Sequence, residues 1–572
     1  MRTNLLLSVC FLVAAVCLPR PALAAPTSAE ACPRPPAGSV VTEPEDLRSR
    51  SGILEVEFTY RNYVSADGQM RYCYLYKDGS QAPTLRLHPG DWLVLRLTNA
   101  LKPPTDSHQH DRAAMEMPMP HPAACGNGTM GAWATNLHFH GLTIPPMCHQ
   151  DDVMNTYVAP GGMPFEYRFQ IPADEPPGLY WYHPHVHGFS SAQVLGGASG
   201  ALIVEGIEKA NRQLGGLPER VLIVRDQELL HPEAQPATNS SVPPPPVLRD
   251  PEGDILNTGT GGGKPAKDLS INFVPVPYPD YPPAAIKMKP ETREFWRVLN
   301  ASAITYLDLE ISFNGAAQPI AVVSMDGVPL NEYDPAANHI LWTSHLAVPP
   351  GGRIEFVVKG PAEGVQALLV TRTVDTGPDG ENDPERPLAM IVDEPNAPEP
   401  SHMPASPAEA MAPTSRWLGD VKPVRERKLY FSEKPSNPND PNSPTVFMLT
   451  VEGQAEIPYD PKNTAPNIVA QQGDVEDWII ENRTRELHAF HIHQLHFLLT
   501  QWNGVPVDEP YLRDTINVAY WSGQGPFPSV RLRMDFRGAN IVGTFVYHCH
   551  LLEHEDGGMM GTIQVVPPAR KP

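Results

Sequence analysis

A chain of 572 residues is long enough for several domains, and 67 prolines with a charged fraction of only 19% exclude a mainly helical architecture. The formal charge of −22 excludes a surface made for nucleic acid or anionic lipid; a surface of this sign keeps an exported protein soluble and attracts cations.

The N-terminal stretch MRTNLLLSVCFLVAAVCLPRPALAAP has a basic start at Arg2 and an apolar run from Leu5 to Leu18 that is too short to span a bilayer. Small residues at Ala22-Leu23-Ala24 follow, so residues 1–24 read as an export signal. Cys10 and Cys17 each follow a valine, a poor fit to a lipoprotein anchor. No later apolar run has the length of a membrane helix. The expected setting is secreted or periplasmic, with neither membrane nor nucleic acid as partner. Cleavage leaves Cys32, Cys73, Cys125, Cys148 and Cys549. An odd count in an exported protein requires a separate role for one thiol. Cys549, between two histidines, is that one. The other four can form two disulfides; Cys32–Cys73 with Cys125–Cys148 is the preferred pairing, although spacing alone does not fix connectivity.

Residues 35–206 are rich in alternating segments such as ILEVEFTY, DWLVLRLTN and ATNLHFHGLTI, the period of half-buried strands. A second β-region, 217–394, opens with RVLIVRD and carries a Pro/Gly-rich insertion at 235–268, which reads as a loop or disordered excursion. Residues 395–424 read as a linker. A third β-region, 425–568, follows. LRLTNALKPP, FWRVLNASAI and DWIIENRTRE each have a strand ending in asparagine early in their region, which suggests repetition of one domain type. The expected fold is all-β, with three consecutive Greek-key sandwich or barrel domains.

Four histidine clusters lie in the outer two regions: NLHFHG, WYHPHVHG, HAFHIHQLH and HCHLLEH. Residues i and i+2 of a strand share a face, so each His-x-His pair points two imidazoles one way. His138 and His140, His183 and His185, His491 and His493, His548 and His550 make eight. If the outer domains abut, these surround one cluster of several metal ions. Cys549 faces the opposite side of its strand. His488, an odd three residues before His491, faces away from the cluster as well, and His554 follows in a turn. Two histidines, a thiolate and a weak thioether, Met559 or failing that Met560, are the ligands of a blue-copper site.

These four motifs, in this order over nearly the whole mature chain, resemble the copper-binding motifs of the multicopper oxidases, a family of laccases, ferroxidases and cuprous oxidases. The resemblance implies three cupredoxin-like domains and four copper ions: one type 1, one type 2 and two type 3. By it, His488, Cys549, His554 and Met559 match the type 1 ligands, and His138 and His491 those of type 2. His140, His183, His185, His493, His548 and His550 match those of the type 3 pair. Glu555 resembles an acid that delivers protons in some members; Asp151 and Asp152 are further candidates, because four protons are consumed per dioxygen. His187 and His496 are read as supporting or packing residues, and Trp181 and Phe490 as core aromatics. Met115, Met117 and Met119, with His108, His110 and His121, raise a cuprous-ion loop as a hypothesis, set against a merely solvated loop.

A methionine axial ligand suits easily oxidised donors. The expectation is a laccase-like oxidase of phenols and aromatic amines with dioxygen as acceptor, acting as a monomer. The alternatives are a metallo-oxidase for Cu(I) or Fe(II), and a non-catalytic copper-binding exported protein.

Overall fold

In the strand Ile53–Val64, Leu54, Val56, Phe58 and Tyr60 are buried while Glu55 and Glu57 are exposed, the two-residue period of a sheet with one face on a core. The computed structural model describes residues 31–568 apart from 103–124, 127–129, 235–247, 258–262, 331–339, 407–416 and 441–442. The expected signal 1–24 and the loop 108–121 lie outside the described residues.

Six sheets pair into three sandwiches, each around its own core. The repetition suspected from sequence has a concrete form. Ile53–Val64 runs parallel to Trp92–Asn99, Glu219–Gln227 to Arg293–Asn300, and Arg425–Pro435 to Val475–Asn482. The closing asparagine is buried each time and does the same work. Asn99, Asn300 and Asn482 each donate through Nδ2 to two backbone carbonyls, and each accepts at Oδ1 from the backbone N–H two residues on. One side chain thereby replaces the backbone pairing that the chain gives up where it leaves the strand.

The sandwiches share buried surface. Leu179, Trp181, Ala201 and Ile203 of the first pack on Val221, Ile223, Leu299 and Ala301 of the second. The strands Gly178–His183 and Gly200–Val204 are therefore buried on both faces. Beside this layer, Arg86 and Arg297 interleave with Glu205, Glu219 and Glu355. Burial alone would raise the Glu219 carboxyl, but Arg297 and Arg86 outweigh it and hold it down to about 2. Val41 belongs to the second core, and Met403, from the expected linker, is buried and bonded to Leu217.

The described part of the 235–268 insertion is not an excursion. Residues 249–255 close a small hairpin, Leu256 bridges Glu381, and Asp268–Ile271 is a strand of the second sandwich. Proline and glycine limit regular structure in this described part; they do not exclude packing.

Candidate metal centres

In the third sandwich, His488–Ile492 pairs antiparallel with Gly543–Cys549, with Phe490 opposite Cys549 and His491 opposite His548. In the first, His138–His140 pairs with Gly178–His183, with His138 opposite His183. The two sheets bring their histidine faces together. All eight paired imidazoles meet in one buried cluster, none more than 3% exposed. His138 stacks on His493 with centroids 3.8 Å apart, and His140 on His491 at 4.0 Å. His185 Nε2 lies 3.3 Å from His548 Nε2, which is 3.2 Å from His493 Nε2. His550 Nε2 lies 3.3 Å from His140 Nδ1.

The outer nitrogens are fixed by the protein. His138 Nδ1 is 3.0 Å from both Asp151 oxygens, His491 Nδ1 is 2.9 Å from the Asp514 carbonyl, His183 Nδ1 is 3.0 Å from the Pro184 carbonyl, and His548 Nδ1 is 2.8 Å from that of Cys549. Protons are thereby held outside and lone pairs face inward. His138 Nε2, His183 Nε2 and His491 Nε2 are buried without a hydrogen-bond partner. Such orphans are expensive unless they face a ligand. Burial, reinforced by neighbouring rings, holds His140, His183, His185, His491, His493 and His550 well below the ordinary imidazole range. Neutral rings are the form that binds a metal.

On the other face of the Gly543–Cys549 strand, Cys549 Sγ is 3.5 Å from His488 Nδ1 and 3.9 Å from His554 Nδ1, and those nitrogens are 3.2 Å apart. Met559 is fully buried in the same core; its carbonyl accepts from the Cys549 N–H and its own N–H donates to the His554 carbonyl. Met560 packs instead with Val153 and Val546. Burial pushes the Cys549 thiol up to about 12, so only a cation would hold it as thiolate at neutral pH.

The carboxylate candidates separate. Asp151 touches the cluster, accepting also from the Phe139 N–H at 3.0 Å and Gln494 Nε2 at 2.5 Å. Asp152 turns away to hold Asn155. Glu555, on the one-turn helix Leu552–Asp556, is 3.6 Å from His185 Nδ1 and 3.4 Å from Ser190 Oγ. His187 packs edge-on against Tyr459, and His496 donates to the Asp326 carbonyl. Trp181 stacks at 4.1 Å on His183 and also belongs to the shared core, while Phe490 is in the third core.

Three features escape the sequence reading. Gln494, just past a His-x-His pair, braces Asp151. Asp514 and Arg353 form a fully buried ion pair behind His140. Glu486 Oε1 lies 3.4 Å from His554 Nε2 and 3.7 Å from His488 Nε2. Glu486 opens onto a cleft of about 510 Å³ that reaches His554 and is lined by Asp250, Glu252, Asp379, Glu381, Glu433 and Glu553 against Arg249 and Lys434. A carboxylate two residues before a candidate ligand was the available signal.

Residues 129–209 and 438–569 match family models described as multicopper oxidase. A laccase from Haloferax volcanii is 23% identical over 91% of this chain and 82% of its own. The iron transport multicopper oxidase FET3 of Gibberella zeae is 22% identical over 77% and 69%. Among solved structures, a multicopper oxidase from Campylobacter jejuni, described as a metallo-oxidase, shares the fold with a TM-score of 0.62 and 23% identity, over 93% of this chain and 96% of that one.

Proposed function

We propose, from the chain's membership of the multicopper oxidase family of oxygen-reducing oxidoreductases, that its electron donor is a cation, foremost a divalent metal ion such as Fe(II). In this reading His488, Cys549, His554 and Met559 hold type 1 copper, and His138 and His491 hold type 2. His140, His183, His185, His493, His548 and His550 hold the type 3 pair. The neutral rings and inward orphan nitrogens support that fit. Bound copper supplies one-electron oxidation at Cys549 and four-electron reduction of dioxygen to water at the histidine cluster.

The residues do the rest. Glu486 presents a carboxylate to the outer edges of both His488 and His554, and this contact carries the proposal. Glu433 and Glu381 extend the acidic wall outward; burial and neighbouring carboxylates raise the Glu486 and Glu381 carboxyls well above their ordinary range, so a cation that settles at the ring edges, where an electron can leave it, takes the place of their protons. Among the described residues the lining holds carboxylates and no thioether, which suits Fe(II) or Mn(II) better than Cu(I). Cys549, flanked by His548 and His550, gives a short covalent path between the two sites. Asp151 keeps the His138 proton on Nδ1. Glu555, beside His185, is the acid best situated to carry protons inward. Phenols remain the second reading, because Phe447, stacked at 4.3 Å on His554, offers an aromatic face in the same cleft. Two disulfides, Cys32–Cys73 and Cys125–Cys148, support an extracytoplasmic setting.

The test is oxygen uptake with Fe(II), Mn(II), Cu(I) and a methoxyphenol, for the wild type and for Glu433→Gln. The proposal expects Fe(II) or Mn(II) to outpace the phenol, and the variant to raise KM for the metal ion alone. Faster turnover of the phenol, with KM values untouched by the variant, establishes the second reading instead.

A further inference from the structure

Among the described residues the middle domain contributes no histidine to the cluster, yet it reaches it. Arg353, on the strand Arg353–Lys359, is fully buried and touches all three domains. Its Nη1 and Nη2 grip both oxygens of Asp514 at 2.7 and 2.6 Å. Its Nε donates to the Leu179 carbonyl of the first domain at 3.1 Å, and its remaining N–H bonds go to the Gly351 and Asp326 carbonyls. Asp326 returns the tie from the middle domain, accepting from the backbone N–H groups of Arg353, Asp514 and Thr515.

Asp514 Oδ1 lies 3.2 Å from His140 Nε2. The Nε2 proton of His140 is therefore held outward, and Nδ1 is the nitrogen that faces His550. This is the reverse of His138, His183, His491 and His548, whose Nδ1 atoms are tied outward. The backbone is cut to fit the arrangement. Gly141 has φ +90°, and a Cβ there would overlap the Arg353 guanidinium and Asp514. Gly351, φ +81°, lies so close over His550 that a Cβ would fall 2.7 Å from its Nε2.

We propose that Arg353 is a positioning residue for the histidine cluster, acting through Asp514 to fix His140 in the tautomer and orientation that offer Nδ1 to a metal. A carboxylate buried at His140 needs a cation beside it, and a guanidinium that binds both oxygens also fixes the rotation of Asp514. With Arg353 removed, Asp514 is an uncompensated buried charge and no longer a fixed acceptor. His140 can then turn or exchange its proton between ring nitrogens. The middle domain thereby sets the geometry of a site built by the other two.

The inference rests on the copper reading above, and the experiment separates the two. Copper content, the fraction of copper visible by electron paramagnetic resonance, and the blue absorption of the Cys549 site are measured on copper-loaded wild type, Arg353→Met, Arg353→Lys, Asp514→Asn and Arg353→Met/Asp514→Asn. A wild type that takes up no copper refutes the copper reading itself. Given a loaded wild type, Arg353→Met is expected to keep its blue absorption while the resonance-visible fraction rises from about half to nearly all, or copper content falls by about two ions per chain. Arg353→Lys restores part of the loss. The double variant recovers more than Arg353→Met, because the neutral amide can still accept from His140 and no charge is stranded. If Arg353→Met matches the wild type in copper content and visible fraction, the proposal is overturned. It is equally overturned if the double variant is as impaired as Arg353→Met while Asp514→Asn alone is intact, since Arg353 then acts as packing rather than through Asp514. Should Arg353→Met not fold, the Arg353→Lys and Asp514→Asn pair decides: both must shift the visible fraction while blue absorption holds, and unchanged spectra in both refute the proposal.

Discussion

Asp151 offers the sharpest separation of hydrogen bonding from charge. Its Oδ1 accepts from His138 Nδ1 and the Phe139 N–H, and its Oδ2 from His138 and Gln494 Nε2. Asp151→Leu strands these three buried donors at about 1–3 kcal/mol each and removes the acceptor that fixes the His138 tautomer. Copper affinity at His138 should fall by about 10–100-fold, towards the upper end of that range. Asp151→Asn keeps an oxygen at the Oδ1 position, so His138 and Phe139 stay bonded. Its new N–H₂ group would oppose Gln494 Nε2, but Gln494 Oε1 is buried and unpartnered, so a flip of the Gln494 amide supplies the missing acceptor. A neutral bond in place of a charge-assisted one is about half as strong, a loss of about 1 kcal/mol or roughly 5-fold in affinity. The assay is copper retention against a graded chelator, with the type 2 resonance signal as reporter. If Asp151→Asn loses copper as readily as Asp151→Leu, the flip argument is wrong and charge alone holds the site. Turnover is read separately: an asparagine variant with full copper and slow oxygen reduction assigns Asp151 a proton-handling role as well.

Further outcomes follow from buried groups elsewhere. Arg297→Met leaves Glu219 and Glu355 without their shared cation and should cost about 3–5 kcal/mol of unfolding free energy by denaturant titration; a loss below about 1 kcal/mol would contradict the reading of this network. Burial pushes the Glu175 carboxyl up to about 8 from 4.5, so between those pH values the unfolded chain holds fewer protons than the native one, and stability falls as pH rises. Glu175→Gln should therefore match the wild type near pH 4 and exceed it by up to about 4 kcal/mol near pH 8, seen as a melting temperature that diverges with pH; parallel curves would refute this. Cys73→Ser opens a loop with a sequence separation of 41 and should lower stability by about 3–4 kcal/mol, and a reductant should then destabilise the variant by less than the wild type, because only Cys125–Cys148 is left to open.

The histidine faces were legible because a strand has a period of two: His138 and His140 share a strand face, and Cys549 must oppose His548; His185, His493 and His550 lie one or two residues past the ends of their strands and still join the cluster. The repeated domain was legible in three asparagines at strand ends. Adjacent residues in a turn have no such period, so Asp151 and Asp152 could not be told apart until the turn was seen to aim only the first at His138. Contacts between distant segments left still less trace. Arg353 and Asp514 stand 161 residues apart, and neither lies in a recognisable motif. The acidic cleft is assembled from distant segments of two domains, one of them in the insertion whose proline and glycine content suggested no fixed place.

The apolar layer between the first two sandwiches also bears on how the chain is made. Leu179, Trp181, Ala201 and Ile203 are covered in part by Val221 and Ile223, and fully only once residues as late as Leu299 and Ala301 are in place. At about 5–20 residues per second, the growing chain carries a finished but incompletely covered sheet face for roughly 5–20 s after Val204 has emerged. That interval is when the nascent protein is most exposed to mispairing and most in need of a chaperone, and a chain exported unfolded meets the same hazard again on arrival. The histidines of the first domain wait longer still: their counterparts between His491 and His550 are among the last residues made, so during synthesis the complete cluster can form only at the end.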